Sequence, residues 1–117
     1  MVKNMQKDTM QKKEEQVVSQ EILRTIAMRS LRRSNIRKKI VEYLYDISPN
    51  GNYIANIATN IQTAPTNVIG AIRGMGLRYC NEESLLELNM IVQVGNGNKT
   101  KTYKLTDFGK EIINSMK

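Results

Sequence analysis

Residues 56–76, NIATNIQTAPTNVIGAIRGMG, decide how the rest of the chain is read. Ile57, Ala58 and Ile61 continue from Ile54 as one short apolar face. Gln62-Thr63 interrupts it, and Val68, Ile72 and Met75 then recur at the i, i+4, i+7 spacing of a second amphipathic helix. Thr63 is expected to cap that helix, because a hydroxyl can accept from the unpaired amides of a first turn. Pro65 falls inside the first turn, where its missing N–H costs nothing. Two short helices and a tight turn make a helix-turn-helix pattern, with the second helix expected over 63–75. Its outward side carries Thr66, Asn67, Gly70 and Arg73. Those residue types reach base edges or phosphates in a DNA groove. Gly70 and Gly74 each cost roughly 1 kcal/mol relative to alanine in a helix. Their placement four apart implies close approach of another backbone, either DNA or a helix.

The 117 residues bound one domain with an N-terminal arm. Hydrophobic content of 40% supports a modest core, in which isoleucine leads, seven methionines assist, phenylalanine is single and tryptophan is absent. The net charge of +7 implies an anionic partner. All of that excess lies in residues 1–40, with 11 Lys/Arg against 4 Asp/Glu, whereas residues 41–117 hold 7 of each. Arg29, Arg32, Arg33, Arg37, Lys38 and Lys39 follow one another with no acid between them. Together with Asn35 in the same run they are expected to contact phosphates, the plain alternative being a solvated face.

The chain has no histidine and a single cysteine, Cys80, which excludes His-based triads, most zinc sites and an internal disulfide. No apolar run approaches the roughly 20 residues of a membrane helix, and no secretory h-region follows Lys3 and Lys7. A cytoplasmic location is therefore expected. Gly74-Met75-Gly76 and Gly95-Asn96-Gly97 look like fragments of phosphate loops, but neither follows a strand and opens a helix in a βαβ unit. Glu82, Glu83 and Glu87 read as an exposed face. Neither an enzyme nor a cofactor or metal site is expected.

Two parts are expected, an arm over 1–33 and a domain over 34–117. In the arm, a helix over 17–31 carries the stripe Val18, Ile22 and Ile26, widened by Leu23 and Ala27. It has three possible uses: packing on its own domain, pairing with a second chain, or lying on an acidic surface. Pairing into a homodimer is the expectation, since paired half-sites extend the target of a small DNA-binding domain. Ser34 caps a helix over 35–47 with Ile36, Ile40, Tyr43, Leu44 and Ile47 inward, and Ser48-Pro49-Asn50-Gly51 ends it. Tyr53-Ile54 is expected as a short strand, and Leu85, Leu86 and Leu88 as a short extra helix. Residues 91–94 and 102–105 read as strands, with Tyr103 and Leu105 facing one way. The Gly- and Asn-rich run between them forms a hairpin loop. Thr106 caps a last helix over 107–115, with Phe108, Ile112 and Met116 inward. The result is a mainly α fold with a small β-hairpin, a winged helix-turn-helix with residues 95–101 as the wing.

Residues 34–117 resemble archaeal and bacterial winged-helix transcription regulators. The resemblance rests on Tyr103-Lys104-Leu105-Thr106-Asp107-Phe108-Gly109-Lys110, of the form strand–Leu–Thr–x–x–Gly, and on Thr63-Ala64-Pro65-Thr66-Asn67-Val68. The Ile-, Asn- and Lys-rich composition and the runs at 35–47 and 65–75 are similar to methanogen regulators, the euryarchaeal archaellum regulator among them. The resemblance implies sequence-specific binding of double-stranded DNA and, in its narrower form, activation of motility genes. One departure is the dozen or so residues over 78–89, which push the Leu85-x-x-Leu88-x-x-Ile91-Val92 lead away from the recognition helix. In such a helix Asn67 is placed to pair with adenine and Thr66 to meet a phosphate or a thymine methyl. Ala64 and Pro65 offer apolar surface, and Arg73 reaches phosphate. In the wing, Asn98, Lys99 and Lys101, with Asn96, are expected at phosphates or in the minor groove. The rival reading is a protein-interaction or architectural module, because fold does not fix function. RNA binding is disfavoured by the scarcity of aromatics for stacking.

Overall fold

The computed structural model describes residues 20–74, 84–95 and 101–117. Over these the chain forms five helices and one antiparallel hairpin, the topology of a winged helix with extra flanking helices. The elements are α1 (residues 20–33), α2 (Asn35–Ile47), α3 (Ile54–Asn60), α4 (Pro65–Arg73), β1 (Ile91–Val94), β2 (Thr102–Leu105) and α5 (Asp107–Ser115).

Helices α1 and α2 are separated only by Ser34, whose extended backbone and hydroxyl cap α2 by accepting from Arg37 N at 3.2 Å. Arg37 reaches back across the break, its Nε donating to Ser30 O at 3.1 Å. That bond ties the first turn of α2 to a carbonyl in the last turn of α1. The second half of α1 packs on its own domain, with Ala27, Ser30 and Leu31 buried and Leu23, Ile26 and Met28 packed at the edge of the core. Ile22, one turn earlier, is 54% exposed. Ile40, Val41 and Leu44 form the buried face of α2, so Val41 joins the stripe that periodicity assigns to Ile36, Ile40, Tyr43, Leu44 and Ile47. Ile36, Tyr43 and Ile47 are half-buried at its flank.

The turn between α3 and α4 is a Schellman motif. Thr63 N donates to Ala58 O at 2.9 Å and Gln62 N to Thr59 O at 3.3 Å, while Gln62 takes a left-handed φ of 59°. This geometry corrects the expected cap. Thr63 closes the turn after α3, and the first carbonyl to accept within α4 is that of Ala64, from Val68 N at 3.4 Å, so the N-cap is Ala64, with Pro65 as the first helical residue and no side-chain cap bond. Helix α4 ends at Gly74, whose φ of 83° suits a residue without a Cβ. It is thus shorter than the expected 63–75. Past the break in the described residues, Leu85 N donates to Ala71 O at 3.0 Å and Leu86 N to Ile72 O at 3.1 Å. The chain therefore returns to occupy carbonyls in the last turn of α4. Residues 85–89 form turns rather than the expected helix: Leu88 N closes one turn on Ser84 O at 3.0 Å, and Asn89, with a φ of 57°, ends the run there. Leu85, Leu88 and Ile91 are buried, whereas Val92 faces outward.

The hairpin pairs Ile91 with Leu105 and Gln93 with Tyr103. The expected strand at Tyr53-Ile54 is reduced to a single bridge one residue earlier, Asn52 N to Tyr103 O at 3.1 Å and Tyr103 N to Asn52 O at 2.9 Å. Tyr53 instead leads into α3. Gly51 makes the bridge possible, since a Cβ there would stand 2.7 Å from Tyr103 O. The Leu-Thr-x-x-Gly run closes the base of the wing. Thr106 Oγ1 accepts from Gly109 N at 3.0 Å, capping α5, and lies 3.0 Å from Met90 O as donor. Met90 O in turn occupies the space that a Cβ on Gly109 would need. Ile112 and Ile113 form the buried face of α5, which lies against α2, with Phe108 and Met116 half-buried. No helix among the described residues is long and apolar enough to cross a membrane.

The left-handed Gln62 yields a stability prediction. A non-glycine residue there costs about 1–2 kcal/mol, partly offset by the entropy that glycine loses on folding. Gln62→Gly is expected to raise stability by about 0.5–1 kcal/mol, read as a higher urea midpoint with an unchanged m-value. A lower midpoint would contradict the turn geometry.

Candidate nucleic-acid interface

Helix α4 lies against α2 and α3 through Val68, Ala71 and Ile72, all buried. At about 100° per residue, this leaves Thr66, Gly70 and Arg73 opposite the core and Asn67 and Ile69 on the flanks of the outward face. Ala64, Pro65, Thr66, Asn67 and Ile69 are all exposed, and Gly70 is half-buried. Asn67 Nδ2 donates to Thr63 Oγ1 at 2.9 Å. Thr63 thereby orients the Asn67 amide in the first turn of the helix, a role different from the expected cap. Ile69, 40% exposed, is a member of this face that the periodicity leaves unassigned. Its signal is its place one residue after the buried Val68, which turns it away from the Val68–Ile72 stripe.

Arg73 is held differently from a free phosphate ligand. Its Nε donates to Tyr103 Oη at 3.1 Å and its Nη2 donates to the same oxygen. The Tyr103 hydroxyl passes its proton toward Gln93 Oε1 at 3.3 Å. Tyr103 itself is fully buried. A directional chain therefore runs from the last residue of α4, through β2, to β1. The periodicity places Tyr103 inward, but this bond spans 30 residues and no local spacing signals it.

The basic block distributes over α1, Ser34 and α2. Arg29, Arg32, Arg33, Asn35 and Lys39 are exposed, whereas Arg37 and Lys38 are half-buried and Arg37 is engaged with Ser30. Lys39 borders a shallow surface groove together with Asn60, Ile61 and Gln62, which brings the end of the block beside the helix-turn-helix turn. Glu42 and Asp46 line the same groove, so its charge is mixed. In the wing, Lys101 is half-buried, and Asn96, Asn98 and Lys99 lie outside the described residues. Among the described residues no group of three or more Cys, Asp or Glu side chains is arranged to hold a metal ion.

The Arg73–Tyr103–Gln93 chain is testable by stability. Tyr103→Phe keeps the buried ring and removes the hydroxyl from a charged donor, which is expected to cost about 1.5–3 kcal/mol in urea unfolding. An unchanged midpoint would mean that the guanidinium gains nothing from the tyrosine.

No solved structure matches the chain. The model of the EarA-like family matches residues 27–116, starting at the first buried residue of α1 and ending one residue past α5. Uncharacterized protein MJ0905 of the archaeon Methanocaldococcus jannaschii is 42% identical over 90 residues, covering 77% of this chain and 80% of that protein. With a winged-helix topology and a family match over most of its length, the chain belongs to the EarA-like family.

Proposed function

We propose that this protein is a sequence-specific double-stranded DNA-binding transcription regulator without enzymatic activity. The observation that carries this reading is the outward face of α4, open from Ala64 to Asn67 and at Ile69 while the helix is anchored at Val68, Ala71 and Ile72. A helix so mounted can enter the major groove, the mode in which helix-turn-helix domains read base edges. Asn67 presents an amide suited to adenine, and Thr66 a hydroxyl and a methyl. The excess charge of residues 1–40 supplies phosphate contacts through Arg32, Arg33 and Lys38, with Asn35 beside them, and Lys99, Lys101 and Asn98 extend them into the wing. Resemblance to the euryarchaeal archaellum regulator extends the reading to activation of archaellum genes in the cytoplasm. A homodimer is supported by Ile22, 54% exposed on the helix that leads into the domain.

Selection of bound duplexes from a random pool at moderate salt is expected to return a recurring sequence, and a pool bound without preference would favour an architectural role. Asn67→Ala should flatten preference at one position. Arg32→Ala with Lys38→Ala should weaken all duplexes alike and reduce the slope of log affinity against log salt by about 0.9 for each phosphate no longer neutralised. For the dimer, Ile22→Glu is expected to halve the solution mass measured by sedimentation. A mass that stays at two chains would move the interface elsewhere.

A further inference from the structure

Ile69 is the one large apolar side chain of α4 that the fold leaves open, at 40% exposure, although burying it against α2 or α3 would stabilise the domain. It sits four residues after Pro65 and three after Thr66, so the three share one side of the helix surface. All three are exposed, as is Ala64 at the helix start. The ridge thus offers a ring, a threonine methyl and a branched aliphatic chain along the part of the helix that would face bases. Charged alternatives are missing from it. Helix α4 contains no Asp, Glu or Lys, and its single cation, Arg73, is bonded to the Tyr103 hydroxyl at the far end.

In the major groove, apolar side chains recognise the 5-methyl group of thymine, whereas guanine calls for Arg or Lys and cytosine N4 for a carboxylate. We infer that Ile69, with Pro65 and Thr66, reads thymine 5-methyl groups, an assignment that rests on the proposed DNA-binding reading. An exposed isoleucine on a solvent-facing helix is then explained by the surface it covers in the complex. The specificity of the helix is split accordingly, with Asn67 giving the hydrogen-bonded contact and Ile69 the apolar one.

The test uses the full chain and the duplex recovered by the selection described above. Each thymine is replaced in turn by deoxyuridine, which removes the methyl group and leaves every hydrogen-bonding edge intact. The wild-type protein is expected to lose about three- to five-fold in affinity at one or two positions, the size of one buried methyl group. Ile69→Ala is expected to bind the thymine duplex more weakly and to show no further loss with deoxyuridine at those positions. Its fold is checked by an unchanged far-UV circular dichroism spectrum. Equal wild-type affinity for thymine and deoxyuridine duplexes overturns the inference while leaving the regulator reading intact. A loss at the same positions that persists undiminished in Ile69→Ala assigns the methyl contact to another residue and also overturns it. A selection that returns no recurring sequence removes both readings.

Discussion

The buried phenol of Tyr103 is the constraint on which the arrangement of α4 and the wing depends. Its backbone pairs with Asn52 on one side and its ring is fully buried, so the residue cannot shift without breaking β2 away from the domain. A tyrosine hydroxyl taken into an interior must find partners, since an unpaired one costs about 1–3 kcal/mol. Here the partners are Arg73 as donor and Gln93 as acceptor. The need to satisfy one buried oxygen thus joins the end of a helix to both strands of the hairpin. Asn52 tightens the same region from the other direction, its Nδ2 donating to Tyr43 Oη at 2.8 Å and its Oδ1 accepting from Tyr53 N and Asn56 Nδ2.

Elements whose limits are set by near neighbours along the chain are legible in the sequence. Ser34 and the Ser48-Pro49 break bound α2 at Asn35–Ile47, and Thr106 bounds α5, because Ser34 and Thr106 each cap the amide three residues on. The Leu-Thr-x-x-Gly form is legible as a pattern, and its physical content is the Met90 carbonyl that stands where a Gly109 side chain would. Limits set by distant partners are not legible. Thr63 resembles a cap in every local respect, yet its amide is drawn to Ala58 by the left-handed Gln62. Leu85, Leu86 and Leu88 have a helical composition, yet the run amounts to one turn, docked through two amides on Ala71 and Ile72 and ended by the left-handed Asn89. Arg73 reads locally as an outward cation, and its bond to Tyr103 lies 30 residues away. For Ile69 the difficulty is different, since an apolar residue off the stripe carries no periodic signal.

Charge and shape are divided between different parts of the chain. The net excess lies within residues 1–40, while the remainder is balanced. Helix α4 has one cation and no anion, and that cation is engaged at its end. On the proposed reading, attraction to phosphate and choice among bases therefore reside on separate elements, so each is adjustable without the other.

The return of the chain to the end of α4 has a consequence for how sequences of this kind can vary. Gly74 leaves the helix and the amides of Leu85 and Leu86 come back to its last carbonyls, so both ends of the intervening stretch are fastened at one place. A substitution that shifts the backbone at Leu85 or Leu86 would therefore also leave the Ala71 and Ile72 carbonyls at the end of α4 without those partners.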